Sequence, residues 1–178
     1  APAIPAGNGV VPKHASNVPQ CAQALQQLFR EAGAPEGLFT VLMVGSPRVK
    51  AIIEDRRIAG VTFTGSTPAG RTIASQAGRA LKKHVLELGG SDPFIVLADA
   101  DVEAAAAVAV KARFQNNGQS CIAAKRFIVE EAIADRFAAA FCAGAGKLVM
   151  GDPLDAATTL GPMARGNLRD DLDKQVRA

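Results

Sequence analysis

Two side chains in this sequence have the chemistry of a covalent catalyst and its base. Cys121 closes the polar run Asn116-Asn117-Gly118-Gln119-Ser120. A thiolate is a strong nucleophile and a workable leaving group. A loop after a helix can expose its sulfur and aim backbone N–H groups at a developing oxyanion. Glu87 closes an apolar run and is followed by Leu88-Gly89-Gly90. A carboxylate held in a partly dry crevice can take a proton from water. Each also has a plainer reading. A lone cysteine is most often a small buried hydrophobe, and a glutamate at a strand end is most often an ion-paired surface group. Cys21 and Cys142, set among apolar helical positions, take the buried reading. His14 and His84 have no Ser, Cys or metal partner in their local spacing and receive no role.

Two further segments suit a phosphate or a ribose. Lys13, in Lys13-His14-Ala15-Ser16-Asn17, follows a short apolar run and can donate to ribose hydroxyls or to a phosphate. Thr64-Gly65-Ser66-Thr67-Pro68-Ala69-Gly70-Arg71-Thr72 joins an apolar run to an amphipathic one. Its glycines permit close approach of the backbone, and the helix N-terminus that follows offers free N–H groups and a positive dipole end. The spacing is that of a phosphate-binding loop of nucleoside triphosphatases, with Arg71 in place of the lysine. Phe94–Asp99 could then supply the apolar strand and acidic residue of such a site. On these residues alone, a degenerate triphosphatase, a dinucleotide-binding module without catalysis and a plain strand–turn–helix joint all stand.

The elements that must carry these groups alternate along the chain. Short apolar runs at Val10–Val11, Leu38–Val44, Ala59–Thr64, Val85–Leu88, Phe94–Leu97 and Phe127–Val129 read as strands. Helical spacing marks Pro19–Ala32, a short piece after Ser46-Pro47, Thr67 to about Ala80, Val102 to about Phe114, Ala132–Ala143 and Leu168–Val176. Cys21, Leu25, Leu28 and Phe29 would share the inner face of the first helix, Gly33 would stop it, and Asp101 would cap the helix beginning at Val102. Strands alternating with helices predict an α/β fold with a mostly parallel sheet, whose ligands bind where loops leave the carboxyl ends of strands.

Composition narrows the partners. The chain has 178 residues, 48% hydrophobic and 21% charged, with a net charge of +3. That composition can build a core. Lys and Arg form no block, and Trp and Tyr are absent, so neither a phosphate-tracking patch nor a stacking platform for nucleic acid is expected. No run reaches the ~18 apolar residues of a membrane span. Three cysteines, an odd number without a CxxC pair, predict neither a disulfide framework nor a metal site, and suit a reducing, cytoplasmic compartment.

In order and spacing, AGNGVVPKHAS, GVTFTGSTPAGR, LELGGSDPFIVLADAD, FQNNGQSC and GDPLDAATTLGP resemble the aldehyde dehydrogenase superfamily along nearly the whole chain. Within it, KHASNVPQCAQ, ELGGSDPFIVL and NGQSCIAAKRFIVEE are most similar to bacterial NAD(P)-dependent succinate-semialdehyde dehydrogenases. The resemblance implies a Rossmann-like cofactor domain joined to an α/β catalytic domain, both incomplete here: residues 1–89 and 90–178. It implies Cys121 as nucleophile and Glu87 as general base. It puts Lys13 and Ser16 at the adenine-side ribose, Gly65, Ser66 and Gly70 beneath the dinucleotide, and Leu88 and Gly89 near the nicotinamide. NAD or NADP would be the cofactor, a small aldehyde the substrate, and the full-length parent a homo-oligomer. The family turn explains Gly65–Arg71 without the triphosphatase reading.

Two departures carry expectations. Ser16 stands where many NAD-using members have a Glu that repels a 2′-phosphate, so NADP should be tolerated or preferred. Gln115 stands where some succinate-semialdehyde enzymes carry a carboxylate-pairing Arg, with Arg113 nearby on another helical face. The chain lacks an initiator Met and is much shorter than family members. It reads as a central segment, inactive alone and prone to aggregate through its exposed apolar faces.

Overall fold

A computed structural model describes residues 2–178. Its elements run α1 (Pro19–Glu31), a single 3₁₀ turn (Ser46–Arg48), α2 (Val49–Glu54), β1 (Gly60–Thr64), α3 (Thr67–Arg79), β2 (Lys83–Glu87), β3 (Pro93–Val96), α4 (Val102–Phe114), β4 (Arg126–Val129), α5 (Glu131–Ala145) and α6 (Gly166–Arg177). They form two compact units. One comprises residues 2–63 with Pro68–Leu86, the other Thr64–Thr67 with Glu87–Ala178.

The first unit packs α2 and α3 around Ile53, Ile73 and Ala77, with Val49, Val61, Phe63 and Leu86 closing over them. Strand β1 pairs with β2. At one end Gly60 lies against the Lys83 backbone; at the other the Gly65 N–H donates to the Glu87 carbonyl at 3.0 Å. The two strands therefore run in the same direction. Lys82 donates to the carbonyls of Ile53 and Asp55, both at 2.5 Å, satisfying groups that the end of α2 leaves without helical partners.

The segments read as strands at Val10–Val11 and Leu38–Val44 pair only locally. Val10 bridges Phe39 in parallel, and Leu42 donates to the Pro12 carbonyl at 2.9 Å. Pro12 has no N–H to return, so no regular ladder forms and neither segment is a full strand. Helix α1 forms as predicted and ends at Gly33, whose φ is +77°. Its inner face differs from expectation: Ala22 is buried and Gln26 and Phe29 are half-buried, while Cys21, Leu25 and Leu28 are exposed. Gln26 is drawn inward by a hydrogen bond, its Oε1 accepting from the Val41 N–H at 2.6 Å. Phe29 stacks on Phe39. These two anchors rotate the helix and turn Cys21 outward.

In the second unit α4 and α5 pack on β3 and β4, which pair in parallel from Pro93 opposite Arg126 to Val96 opposite Val129. The core is Val96, Val102, Ala106, Ala109 and Phe137, all nearly inaccessible to solvent. Small residues on α4 let α5 come close. A Cβ at Gly144 would lie 3.0 Å from Val110. Phe127 gathers Phe94, Phe137 and Phe141, with ring centroids 5.4, 6.2 and 5.1 Å away. Truncating a phenylalanine buried like Phe137 to alanine costs about 3–5 kcal/mol. Asp101 caps α4 as expected, its carboxylate accepting from the Glu103 and Ala104 N–H groups at 3.1 Å. Cys142, read as buried, lies on the outward face of α5 and is exposed, because Phe137 and Phe141 hold the opposite face against the core. Among the described residues no helix is long and apolar enough to cross a membrane.

After α2 the chain turns through Asp55 and Arg57. The Arg57 side chain and backbone both donate to the Asp55 carboxylate, and these hydrogen bonds hold its pKa well below the ordinary 3.8. A carboxylate with a lowered folded-state pKa contributes its stability above its unfolded value, and loses it as pH falls below that value toward the lowered one. Arg57→Gln is expected to raise the Asp55 titration toward the ordinary value, though not fully to it, because the backbone N–H of residue 57 still donates to the carboxylate. An NMR titration of the Asp55 carboxyl carbon checks this, and an unmoved midpoint would refute the assignment.

Candidate active site

The loop that presents Cys121 begins with a turn of unusual hand. After α4 the chain passes through Asn116 (φ 49°), Asn117 (φ 55°) and Gly118 (φ 73°), all left-handed. L-residues avoid this region, Asn and Gly least so, and three in succession persist only when the surroundings hold them. Here they are held. The Asn117 side chain accepts from the Gly161 N–H at 2.9 Å and donates to the Pro162 carbonyl at 3.2 Å. Gln119 accepts from the Ala164 N–H at 2.9 Å. Half-buried Arg113 forks across the loop, one Nη donating to the Gly118 carbonyl and the other to the Ala124 carbonyl at 2.7 Å. The Lys125 ammonium lies 3.0 Å from the carbonyl of Cys121, 3.2 Å from that of Ala123 and 3.4 Å from that of Ser120.

These contacts leave the Cys121 side chain exposed rather than buried. It lines a shallow pocket of about 140 Å³ together with Asp92, Pro93, Phe94, Ala112 and Ile122–Ala124. That space takes a few heavy atoms, well under the ~300–1,000 Å³ of a drug-sized site. The Glu87 segment reaches the same loop. A Cβ at Gly90 would lie 3.5 Å from the Cys121 carbonyl, and Glu87 is three residues earlier, at most about 11 Å of extended chain. Glu87 is exposed at the end of β2, in the same unit as Cys121. Leu88 is half-buried, and Gly89 has open space where a side chain would stand.

The remaining predicted residues follow the carboxyl ends of paired segments. Gly65 and Ser66 are exposed between β1 and α3. Lys13 follows Pro12, and Ser16 sits at the tip of a turn closed by the Val18 N–H and the Ala15 carbonyl; both side chains are exposed. Gly70 is buried within α3. This last point disposes of the triphosphatase reading. That motif needs residues 65–70 as an open loop, whereas α3 begins at Thr67, and no six-residue cradle forms. Lys13, Ser16 and Gly70 belong to one unit; Gly65, Ser66, Glu87, Leu88, Gly89 and Cys121 belong to the other.

An aldehyde dehydrogenase family model matches residues 1–178, the entire sequence. The chain belongs to the aldehyde dehydrogenase family. It is 57% identical over 175 residues to the succinate semialdehyde dehydrogenase [NAD(P)+] Sad of Escherichia coli K12, covering 98% of this chain and 38% of that protein. It is 52% identical over 176 residues to succinate-semialdehyde dehydrogenase [NADP(+)] 1 of Mycobacterium tuberculosis H37Rv, covering 99% of this chain and 38% of that protein. Among solved structures, it superposes on a Streptococcus pyogenes succinic semialdehyde dehydrogenase in complex with NADP+, with a TM-score of 0.92 and 42% identity over 96% of this chain and 38% of that one. A Pseudomonas syringae aldehyde dehydrogenase C variant in complex with NAD+ and octanal matches with a TM-score of 0.95 and 36% identity, covering 100% of this chain and 37% of that one. The chain thus spans about two fifths of the length of the curated relatives it matches.

Sequence reasoning missed how the Cys121 loop is fastened. Arg113 is noted in the sequence only as lying near the carboxylate-pairing position on another helical face; both of its forks are committed to backbone carbonyls. The available signal was an arginine in the last turn of a helix that runs into Asn-Asn-Gly, where carbonyls lack helical partners. Gly118→Ala is expected to destabilise the protein by about 1–2 kcal/mol through the left-handed backbone. The new Cβ would also stand 2.9 Å from the Arg113 guanidinium. Urea denaturation reads the loss, and a variant as stable as the parent would contradict a held turn.

Proposed function

We propose that the protein containing this chain is an NAD(P)-dependent aldehyde dehydrogenase that converts a small semialdehyde, succinate semialdehyde the first candidate, to its acid. The observation that carries the reading is Cys121, exposed on a clamped loop beside a small pocket, with the Glu87 segment drawn alongside by the contact of Gly90. Similarity to relatives named for succinate semialdehyde and for NADP+ or NAD(P)+ supports the substrate and cofactor class. The two separate hydrophobic clusters support a division into residues 1–89 from the cofactor domain and 90–178 from the catalytic domain. Three free thiols suit a reducing cytoplasm. By family likeness the full-length protein assembles as a homo-oligomer.

By family likeness, the residue types suit a dinucleotide. An exposed lysine follows one parallel pairing, and exposed Gly65 and Ser66 precede the N-terminus of α3, where N–H groups and the helix dipole favour a phosphate. Lys13 would hold ribose hydroxyls, and Leu88 and Gly89 would give the pyridine ring a backbone edge. When bound, the nucleotide supplies the acceptor for the aldehyde hydride. The chain's residues do the rest. The Cys121 thiolate adds to the aldehyde carbon, an S–C bond forms, and the carbonyl π electrons move to oxygen. The Cys121 backbone N–H donates to that oxyanion. Loss of hydride leaves a thioester on Cys121. Glu87 takes a proton from water, the water oxygen attacks the thioester carbon, and the thiolate leaves as the acid forms.

Three variants of the full-length protein test this. Cys121→Ala should abolish aldehyde-dependent nucleotide reduction. Glu87→Gln should retain a burst of one equivalent and slow steady turnover by about 10²–10⁴-fold. Substantial turnover in the alanine variant would end the proposal. Ser16→Glu should move the kcat/KM ratio toward NAD by about tenfold, roughly 1.4 kcal/mol, through repulsion of the 2′-phosphate; an unchanged ratio would show that Ser16 does not meet the ribose.

A further inference from the structure

Arg113 is a long cationic side chain whose two terminal nitrogens reach both ends of the Cys121 loop. It donates to the Gly118 carbonyl, three residues before the cysteine, and to the Ala124 carbonyl, three residues after it. We infer that Arg113 is a positioning residue that fixes where the Cys121 sulfur and its backbone N–H stand. The inference rests on Cys121 being the nucleophile, but its first readout does not.

Four observations converge. The loop starts with three left-handed residues and returns to right-handed backbone within a few positions, so it cannot hold its shape by local preference. Arg113 lies in the last turn of α4, on the same face as buried Ala109 and Ala106 one and two turns earlier, so the fork grows from a fixed base. The guanidinium is planar and presents two parallel donors, and a lysine at 113 could engage one carbonyl but not hold both in one plane. Finally, the close approach at Gly118 leaves no room for a methyl group, which shows how tightly the fork seats. The Ala124 N–H donates back to the Ala112 carbonyl at 3.0 Å, and the Ala123 N–H to the Ser120 carbonyl at 3.1 Å. Arg113 thus closes a ring of backbone contacts around the cysteine. Lys125 donates to three carbonyls from the exposed side, over the shorter stretch from Ser120 to Ala123.

The test is hydrogen exchange on the full-length protein with Arg113→Ala and Arg113→Lys. In the alanine variant the amides of Gln119, Ala123 and Ala124 should exchange at least about tenfold faster, the equivalent of 1.4 kcal/mol. Amides of Ala106 and Ala109 in α4 should be unchanged. The lysine variant should fall between. On the activity side, kcat should drop about tenfold or more with the NADP dissociation constant unchanged, since the fork acts on the reacting loop and not on the cofactor. Loop amides that exchange as in the parent would overturn the inference, and so would acceleration spread evenly through α4, which would mark general destabilisation. Should Arg113→Ala fail to fold, the lysine variant decides: loop-confined acceleration supports the clamp and its absence refutes it. If exchange responds as stated while Cys121→Ala stays active, the clamp stands and the catalytic reading falls.

Discussion

The second unit depends on a conformation that L-amino acids resist. Three left-handed residues reverse the chain between α4 and Cys121, and everything near the cysteine is arranged to make that reversal the lowest-energy path. The strain is offset by polar contacts, not by burial. Amide side chains from Asn117 and Gln119 hold Gly161–Ala164, and cationic side chains from Arg113 and Lys125 hold carbonyls on both flanks. A thiol exposed on so constrained a backbone differs from Cys21 and Cys142, which are exposed on ordinary helix surfaces. Exposure alone does not distinguish the three cysteines; the held loop around Cys121 does.

Beneath the loop, the aromatic cluster around Phe127 and the small residues of α4 give the reversal a stiff base. The same unit shows why its strands read as uninterrupted apolar runs. Along β3, Phe94 and Val96 face the helices while Ile95 points away and is exposed. Apolar residues on both faces are the mark of parallel strands covered on both sides. The membership of the chain in the aldehyde dehydrogenase family, and its span of about two fifths of its curated relatives, are consistent with such a layered setting.

Much of this was legible in the residues. Element types and order followed from periodicity, and Asp101, Gly33 and Pro19 marked their boundaries by capping chemistry. Where the reading failed, a single non-periodic contact decided the matter. Val10–Val11 and Leu38–Val44 have strand composition, yet Pro12 withholds the N–H a ladder needs. Cys21 shares an apolar helical stripe, yet the hydrogen bond of Gln26 to Val41 turns that stripe away from the core. Cys121, Glu87 and the Gly65 turn stood out by residue type. The fastening of the loop did not, because it joins residues up to 45 positions apart through backbone carbonyls and N–H groups, which have no sequence signature.

One detail links the helix layer to the chemistry. Gly144 lies where Val110 leaves no space for another carbon, so the missing side chain sets how low α5 rides on α4. Four residues past the end of α5 the chain reaches Val149, whose carbonyl receives the N–H groups of Thr159 and Leu160, and Met150 bridges Leu160 just before Gly161 and Pro162 meet Asn117. A helix crossing far from any reactive atom thereby sets the height of the anchor to which the cysteine loop is moored.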